Sequence, residues 1–314
     1  MSEHVKISVV TPSFNQGKFI EENIQSVLAQ NYPNFEHIIV DGGSTDETIE
    51  ILKKYPHLKW VSEPDRGQSH ALNKGFEMAK GEVIGWLNSD DLYLPGTFKL
   101  VASALDRLER RWVVMGDVEI IDESGKSVRI LRNRPKKLHQ LLRFWDPDLG
   151  SFHQPGIFFF KEILDEVGLL DESLCYAMDY DLWLRVIQKY DFHRIEAIFA
   201  KYRFHGSSKS GSGWDPFIRE WEQVSRRYLG RLSLGGKILY SLSCSAYMGW
   251  YYARQGKQIL RSGDYERARE YFRLAFRYRP LYPKNLRRWV LSYLPGFREF
   301  YISQKRRASR SPHS

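Results

Sequence analysis

Cysteine is scarce in this 314-residue chain: Cys175 and Cys244 are the only two, and neither stands in a Cys-x-x-Cys pair or near histidine at zinc-site spacing. That excludes a structural zinc site of the usual spacing and argues against a disulfide-stapled scaffold. Long apolar runs are missing too. No stretch reaches 18 apolar residues, so no spanning helix is expected. Residues 1–10 enter a strand pattern almost at once, without a basic segment leading into an apolar run. Export is therefore not expected, and a cytoplasmic location is, with a peripheral position at a membrane still open. Two nucleotide signatures are absent after the first β-rich run. Without Gly-x-Gly-x-x-Gly a nicotinamide dehydrogenase is disfavoured, and without a glycine-rich, lysine-containing loop so is a nucleotidyltransferase.

Acidic residues are scarce in the last part of the chain. From Arg226 onward there are 20 Lys or Arg against 4 Asp or Glu, a balance of +16, which leaves 27 basic and 34 acidic residues before it, a balance of −7. Two parts of different electrostatic character thus join near residue 226. The basic part interleaves Trp250, Tyr251, Tyr252, Trp289, Tyr293 and Phe297. That pattern suits an anionic membrane surface or a protein partner. It contains no named nucleic-acid module, so nucleic acid is not an expected partner.

Residues 7–10, 37–40, 58–62, 83–87 and 112–115 read as strands, and 18–29, 45–54, 68–79 and 96–108 as helices. Regular β/α alternation predicts an α/β fold with a mostly parallel sheet flanked by helices, in which ligands sit beyond the carboxyl ends of the strands. A hairpin is expected from 118–121 and 127–131 around Glu123-Ser124-Gly125-Lys126. Helices follow at 135–143, 160–167 and 180–189, with strands near 192–195 and 198–204. In the tail, Tyr252, Gly256, Gly263, Ala268, Phe272, Ala275 and Pro280 fall at the spacings of a single tetratricopeptide repeat. One copy cannot build a solenoid, so a helical hairpin is the simpler expectation. The domain boundaries read as 1–115, 116–225, a basic helical extension over 226–300, and a disordered basic end over 301–314.

The strand ends carry the chemistry. Asp90-Asp91 follows the apolar run Val83-Ile84-Gly85-Trp86-Leu87. Adjacent carboxylates repel and are costly to bury, a conflict that a hard divalent cation resolves, although a solvated turn would also accommodate them. Asp41-Gly42-Gly43-Ser44-Thr45-Asp46 opens a helix after another strand, and its glycines let backbone amides approach a ligand. Asp41 could accept hydrogen bonds from a base or ribose, or simply cap the loop. Arg66 lies near enough in sequence to balance a diphosphate. In Asp179-Tyr180-Asp181-Leu182-Trp183-Leu184-Arg185, the i,i+4 spacing pairs Asp181 with Arg185 and leaves Asp179 to face the cleft as a base or as a plain N-cap.

Together these segments resemble the inverting family 2 glycosyltransferases of the GT-A fold. The resemblance rests on Thr11-Pro12-Ser13-Phe14-Asn15, the Asp41 loop, Asp65-Arg66-Gly67 with Ala71 and Asn73-Lys74-Gly75, Asn88-Ser89-Asp90-Asp91-Leu92-Tyr93-Leu94-Pro95-Gly96, and the Asp179 segment, and it covers about residues 5–210. It implies a nucleotide-sugar donor, a UDP-sugar first, contacted by Thr11, Pro12, Ser13, Asn15, Asp41, Gly42, Asp65, Arg66, Asn73, Asn88, Ser89 and Asp90. It implies Mn²⁺ or Mg²⁺ on Asp91 first, with Asp90 on the ribose or on a metal-bound water, and His205 on the metal or a phosphate. Asp179 is the implied base and Asp181 the runner-up or structural support with Arg185, because Met178 stands where the family usually has an acid. His153 and Gln154, Trp183, and the Tyr202-Arg203-Phe204-His205 segment before Gly206-Ser207-Ser208-Lys209-Ser210 map to the acceptor side and the mobile loop, with Phe159 expected in the helix after His153-Gln154-Pro155-Gly156. The processive members' Gln-x-x-Arg-Trp is absent, since Arg287-Arg288-Trp289 lacks the Gln. One glycosidic bond per encounter is therefore expected. The acceptor would be a saccharide, which could be lipid-linked, in surface polysaccharide assembly. The competing expectation is a catalytically silent glycan-binding protein or scaffold on the same fold.

Overall fold

A computed structural model describes residues 5–108, 112–146, 149–150, 152–209, 211 and 213–293. The expected disordered end over 301–314 and the proposed anchor Phe297 lie outside them. The chain divides into two compact units after Gly230.

The first unit is built on one sheet. β1 (Ile7–Ser13), β2 (Phe35–Asp41), β3 (Lys59–Ser62) and β4 (Val83–Trp86) alternate with α1 (Gly17–Leu28), α2 (Thr48–Lys53) and α3 (Gln68–Met78). β1 is buried along its whole length, because helices cover both sides of a central parallel strand. Phe19, Ile20, Asn23, Ile24 and Val27 recur at helical spacing, which gives α1 a buried face. Ile20 and Ile24 meet Ile39, Ile51, Leu52 and Leu58 beneath the sheet. There follow β5 (Leu92–Tyr93), α4 (Thr97–Leu105), the hairpin β6 (Trp112–Ile121) and β7 (Ser127–Leu131), α5 (Leu138–Leu141), β8 (Ile157–Phe160), α6 (Glu162–Val167), α7 (Met178–Val186), β9 (Asp191–Arg203) and α8 (Asp215–Arg227). The nine strands run in the order β3-β2-β1-β4-β8-β6-β9-β5, with β7 paired to β6 at an edge.

Strand direction changes along the sheet. β1 to β4 pair in parallel, as the β/α alternation predicts. Beyond them β8 runs antiparallel to both β4 and β6, while β6 and β9 are parallel. The sheet is thus mixed α/β, with its parallel pairs concentrated in the first half. Two local expectations are corrected. Residues 157–160 form β8, where a helix had been expected from 160 and Phe159 had been placed in it; the four aromatic and aliphatic side chains are buried on both faces of the sheet, which a helix could not achieve there. The strands expected at 192–195 and 198–204 are one strand, β9, whose register with β6 shifts near Asp117. Arg194 reaches across to Asp117 at 2.9 Å, so the polar interruption is an ion pair within the sheet.

The second unit holds α9 (Leu234–Ser262), α10 (Tyr265–Tyr278) and α11 (Pro283–Leu291). Ser233 and Asp264 cap α9 and α10 with side-chain bonds to the amides of Gly236 and Arg267. Leu260, Ala268 and Phe272 form the core of the α9/α10 hairpin, with Trp289 packed on it. This corrects part of the expected interfacial set. Tyr251 and Tyr252 are 6% and 3% exposed, held inside the unit, whereas Trp250 and Tyr293 are 52% and 56% exposed.

Candidate active site

The first two strand-end loops are sewn together. Asn15, in the left-handed region at φ 52°, donates its backbone N–H to Ser44 Oγ at 2.7 Å and accepts the Thr45 N–H at 2.9 Å. Asp41 is fully buried, and its carboxylate accepts from the amides of Gly43 and Ser44 and from the hydroxyls of Ser44 and Ser62. It therefore shapes the loop around Gly42. A side chain at Gly42 would come within 2.7 Å of the Asp65 carboxylate and also meet the Phe14 ring, so glycine is what allows the three to converge. Asp65 in turn accepts the Gly67 N–H at 2.7 Å, across a turn in which Gly67 adopts φ 115°. Phe14, 58% exposed, thus presents an aromatic face beside Gly42 and Asp65. Arg66 is exposed and pairs with Glu172 at 2.6 Å. Thr11 and Asn73 lie deeper. The Thr11 hydroxyl is within 3.0 Å of His37 Nε2, Pro12 and Ser13 are buried, and the Asn73 amide fixes the backbone of Leu170 from both sides.

The fourth strand ends in Asn88-Ser89-Asp90-Asp91. Asp91 is fully buried; its carboxylate accepts the Arg203 backbone N–H at 3.0 Å and the Asn88 amide at 3.3 Å. Burial, reinforced by the neighbouring Asp90 charge, holds its pKa well above the usual carboxylate range. Asp90 faces outward, with its Oδ2 3.0 Å from His205 Nε2, and His205 Nδ1 lies 2.8 Å from Ser207 Oγ. The His205 ring rests on Phe19 at 4.6 Å. Arg203 is 2% exposed and binds Asp90 O, Glu123 O and the Glu22 carboxylate, so it ties the turn of the β6–β7 hairpin to this loop. Asn88 accepts from Gln68 and Trp86, both at 2.9 Å, while Ser89 is buried.

Asp90 and His205 suit a divalent cation. Carboxylate oxygen and imidazole nitrogen are both good Mn²⁺ donors, and neighbouring ligands on an octahedral ion with bonds of about 2.1 Å lie roughly 3 Å apart. In this structure the two atoms share a hydrogen bond at 3.0 Å, and among the described residues no group of three His, Cys, Asp or Glu gathers to hold an ion, so the protein would supply these two donors alone. Asp91, the expected first ligand, lies behind this pair, its carboxylate bonded to the Arg203 backbone N–H and the Asn88 amide.

Asp179 lies in the first turn of α7 and is half-buried. Desolvation raises its pKa to about 6, against the opposing effects of the Tyr180 amide bonded to Oδ1, its own amide and Lys209. It is not the helix cap: Ala177 occupies that position and offers no side-chain bond. Glu220, from α8, holds the segment that leads into the helix, accepting the amides of Cys175, Tyr176 and Ala177 at 2.7–3.1 Å. Lys209 donates to Gln68 Oε1 at 2.8 Å and to Cys175 O at 2.7 Å. Desolvation lowers its pKa, against the pull of Cys175, Glu220, Asp179 and Asp65. The start of α3 and the segment before α7 therefore meet at one ammonium. Asp181 has a different surrounding: 3% exposed, it accepts from Arg185 Nε and from the Tyr228 hydroxyl, both at 2.9 Å. Arg185 also binds the backbone oxygens of Val167, Gly168 and Leu169.

On the acceptor side, His153 is bonded through its backbone to Asn133, and burial with Lys136 and Arg129 lowers its pKa to about 4. Gln154 reaches Trp86 O, next to the Asn88 loop. The expected acceptor contact at Trp183 is corrected: the side chain is 1% exposed and packs on Phe159 and Phe192 in the core. Sequence reasoning missed Gln68 and Glu220 as site residues, and named Phe14 and Lys209 only within the motifs of the resemblance, with no role of their own. An aromatic at a strand end could have signalled Phe14, but nothing local marks Glu220, which meets the segment leading into α7 43–45 residues away.

The sequence profile described as Glycosyl transferase family 2 matches residues 8–168. A putative teichuronic acid biosynthesis glycosyltransferase of Bacillus subtilis, TuaG, is 42% identical over 231 residues, covering 68% of this chain and 85% of its own. An uncharacterized glycosyltransferase of Rickettsia conorii is 31% identical over 233 residues, 69% of this chain; the match spans only 39% of that longer protein. Among solved structures, a fragment of S. aureus TarS in complex with UDP-GlcNAc superposes with a TM-score of 0.62 at 17% identity, covering 95% of this chain and 92% of that one. The mixed sheet flanked by helices is thus that of GT-A-like glycosyltransferase structures, and the chain belongs to glycosyltransferase family 2.

Proposed function

We propose that this chain transfers one sugar from a nucleoside-diphosphate sugar to a hydroxyl of a saccharide acceptor with inversion at the anomeric carbon. The observation that carries the reading is Asp179, a half-buried carboxylate with a pKa raised to about 6. Such a group is ionised at neutral pH yet basic enough to take the proton of an attacking hydroxyl. A single displacement follows: the acceptor oxygen bonds to the anomeric carbon, the bond to the diphosphate breaks, and the proton passes to Asp179. Phe14 offers a stacking face for the base, with Gly42 and Asp65 beside it. Asp41 acts through the loop it shapes. A UDP-sugar is the first choice of donor, in keeping with the UDP-GlcNAc complex of TarS. Polysaccharide biosynthesis suits the kinship with TuaG.

Asp90 and His205 would hold Mn²⁺ or Mg²⁺, with Asp91 and Arg203 fixing the loop behind them. When bound, the ion supplies positive charge against the leaving diphosphate. Lys209 stands ready as a protein cation on the same crevice. The basic second unit would hold the enzyme on the cytoplasmic face of an anionic membrane, where a lipid-linked acceptor could be met.

An Asp179→Asn enzyme should bind UDP in calorimetry as the unsubstituted chain does, while turnover of UDP-sugars falls by about 10² to 10⁴. Undiminished turnover would remove Asp179 from the chemistry. UDP binding without any turnover by the unsubstituted chain would favour the catalytically silent, glycan-binding reading.

A further inference from the structure

The first 225 residues carry a net balance of −7, yet residues 126–137 hold six Lys or Arg and no acid. These residues form β7, at the edge of the sheet, and the segment after it. Arg129, Arg132 and Arg134 are exposed and have no acidic partner among the described residues. A run of like charges left unpaired on an otherwise acidic unit costs stability through self-repulsion, which favours a counter-charge from outside.

The run is tied to the candidate active site at both ends. At the hairpin turn, Glu123 O accepts from Arg203, whose backbone N–H holds Asp91 and whose side chain binds Asp90 O. At the far end, Asn133 bonds Gly116 O and the backbone of His153, next to Gln154 and its bond to Trp86. Arg129 and Lys136 lie close enough to His153 to depress its basicity. The basic strand therefore runs along the acceptor side, from the Asp90 loop to the His153 loop.

We infer that β7 and the segment after it form a binding track for an acceptor that carries negative charge along its length, a glycan bearing carboxylates or phosphodiesters. This rests on the transferase reading and names the acceptor class for it. The guanidinium groups would each take a carboxylate or phosphate oxygen pair of successive units, holding the chain while its end reaches Asp179.

The test uses the full chain and an Arg129→Gln/Arg132→Gln/Arg134→Gln variant, with polygalacturonate, inorganic polyphosphate and neutral dextran as probes. Binding is read by calorimetry at low salt, and UDP binding and UDP-sugar hydrolysis are measured on the same samples. The expected result is binding of one or both polyanions but not dextran, weakened by about two orders of magnitude in the variant, roughly fivefold per arginine. UDP affinity and hydrolysis should be unchanged. Polygalacturonate alone would identify carboxylates as the recognised group, and polyphosphate alone the phosphates. Equal binding of dextran, or a variant that binds polyanions undiminished, would overturn the inference. So would RNA or anionic vesicles bound more tightly than either polyanion and released by the same substitutions. Absence of hydrolysis in the unsubstituted chain would count against the transferase reading, whereas hydrolysis without preference for polyanions would count against this inference alone.

Discussion

Two carboxylates two residues apart on α7 have opposite fates. Asp181 is held between Arg185 and the Tyr228 hydroxyl, while Asp179 is desolvated, with backbone N–H groups and the Lys209 ammonium favouring its charge. Removing the Asp181 charge breaks a buried pair and leaves both the Arg185 guanidinium and the Tyr228 hydroxyl without their anionic partner, so Asp181→Asn should lose about 3 kcal/mol in thermal or urea unfolding. Asp179→Asn should behave differently. Its folded pKa of about 6 lies above the value of about 3.9 expected in the unfolded chain, so ionisation weakens the fold as pH rises from about 4 through 6. The Asn variant escapes that loss, and its unfolding midpoint at pH 7.5 should match or exceed that of the unsubstituted chain; a drop as large as that of Asp181→Asn would contradict the division of roles. The Asp181–Arg185 pair is legible in the sequence because i,i+4 spacing brings the groups together on any helix. Which of Asp90 and Asp91 turns inward is not, because only the long-range contacts of Arg203 with Asp91 and of His205 with Asp90 decide it.

Elements were legible where the period of the sequence agrees with the burial it meets. β1 to β4 and their helices stand close to where alternation puts them, since each helix buries one stripe against a parallel sheet. β8 was misread because the run Ile157-Phe158-Phe159-Phe160 has no period of its own and flows into the helical pattern of α6. α8 is not legible although Ile218 and Val224 are buried, because they do not share one face and many charges surround them. The antiparallel insertion of β8 between β4 and β6 brings the rings of Tyr93, Phe98 and Phe199 around Phe158, at centroid distances of 5.2–6.1 Å. Phe158→Ala should therefore cost about 3–5 kcal/mol in urea unfolding. A loss below about 1 kcal/mol would mean that this strand is not the joint between the two halves of the sheet.

At the scale of the molecule, charge and apolar exposure divide the chain in two. No helix among the described residues is long and apolar enough to cross a membrane. In α9, however, Leu234, Ile238, Leu239 and Leu242 are 52–75% exposed, and residues 232–253 carry one charged residue, Lys237. Such a surface beside basic residues suits shallow burial among anionic headgroups. The chain should sediment with phosphatidylserine vesicles and less with phosphatidylcholine, the difference shrinking in salt, and Ile238→Ser/Leu242→Ser should weaken both. Equal binding to the two vesicles, or none, would remove the membrane position. The transferase reading itself depends on a single proton acceptor, and the pH dependence of turnover reaches it most directly. UDP-sugar turnover should fall with unit slope below a midpoint near pH 6, with no such limb in the residual activity of Asp179→Asn; a profile flat from pH 5 to 7.5, or the same limb in both proteins, would contradict it.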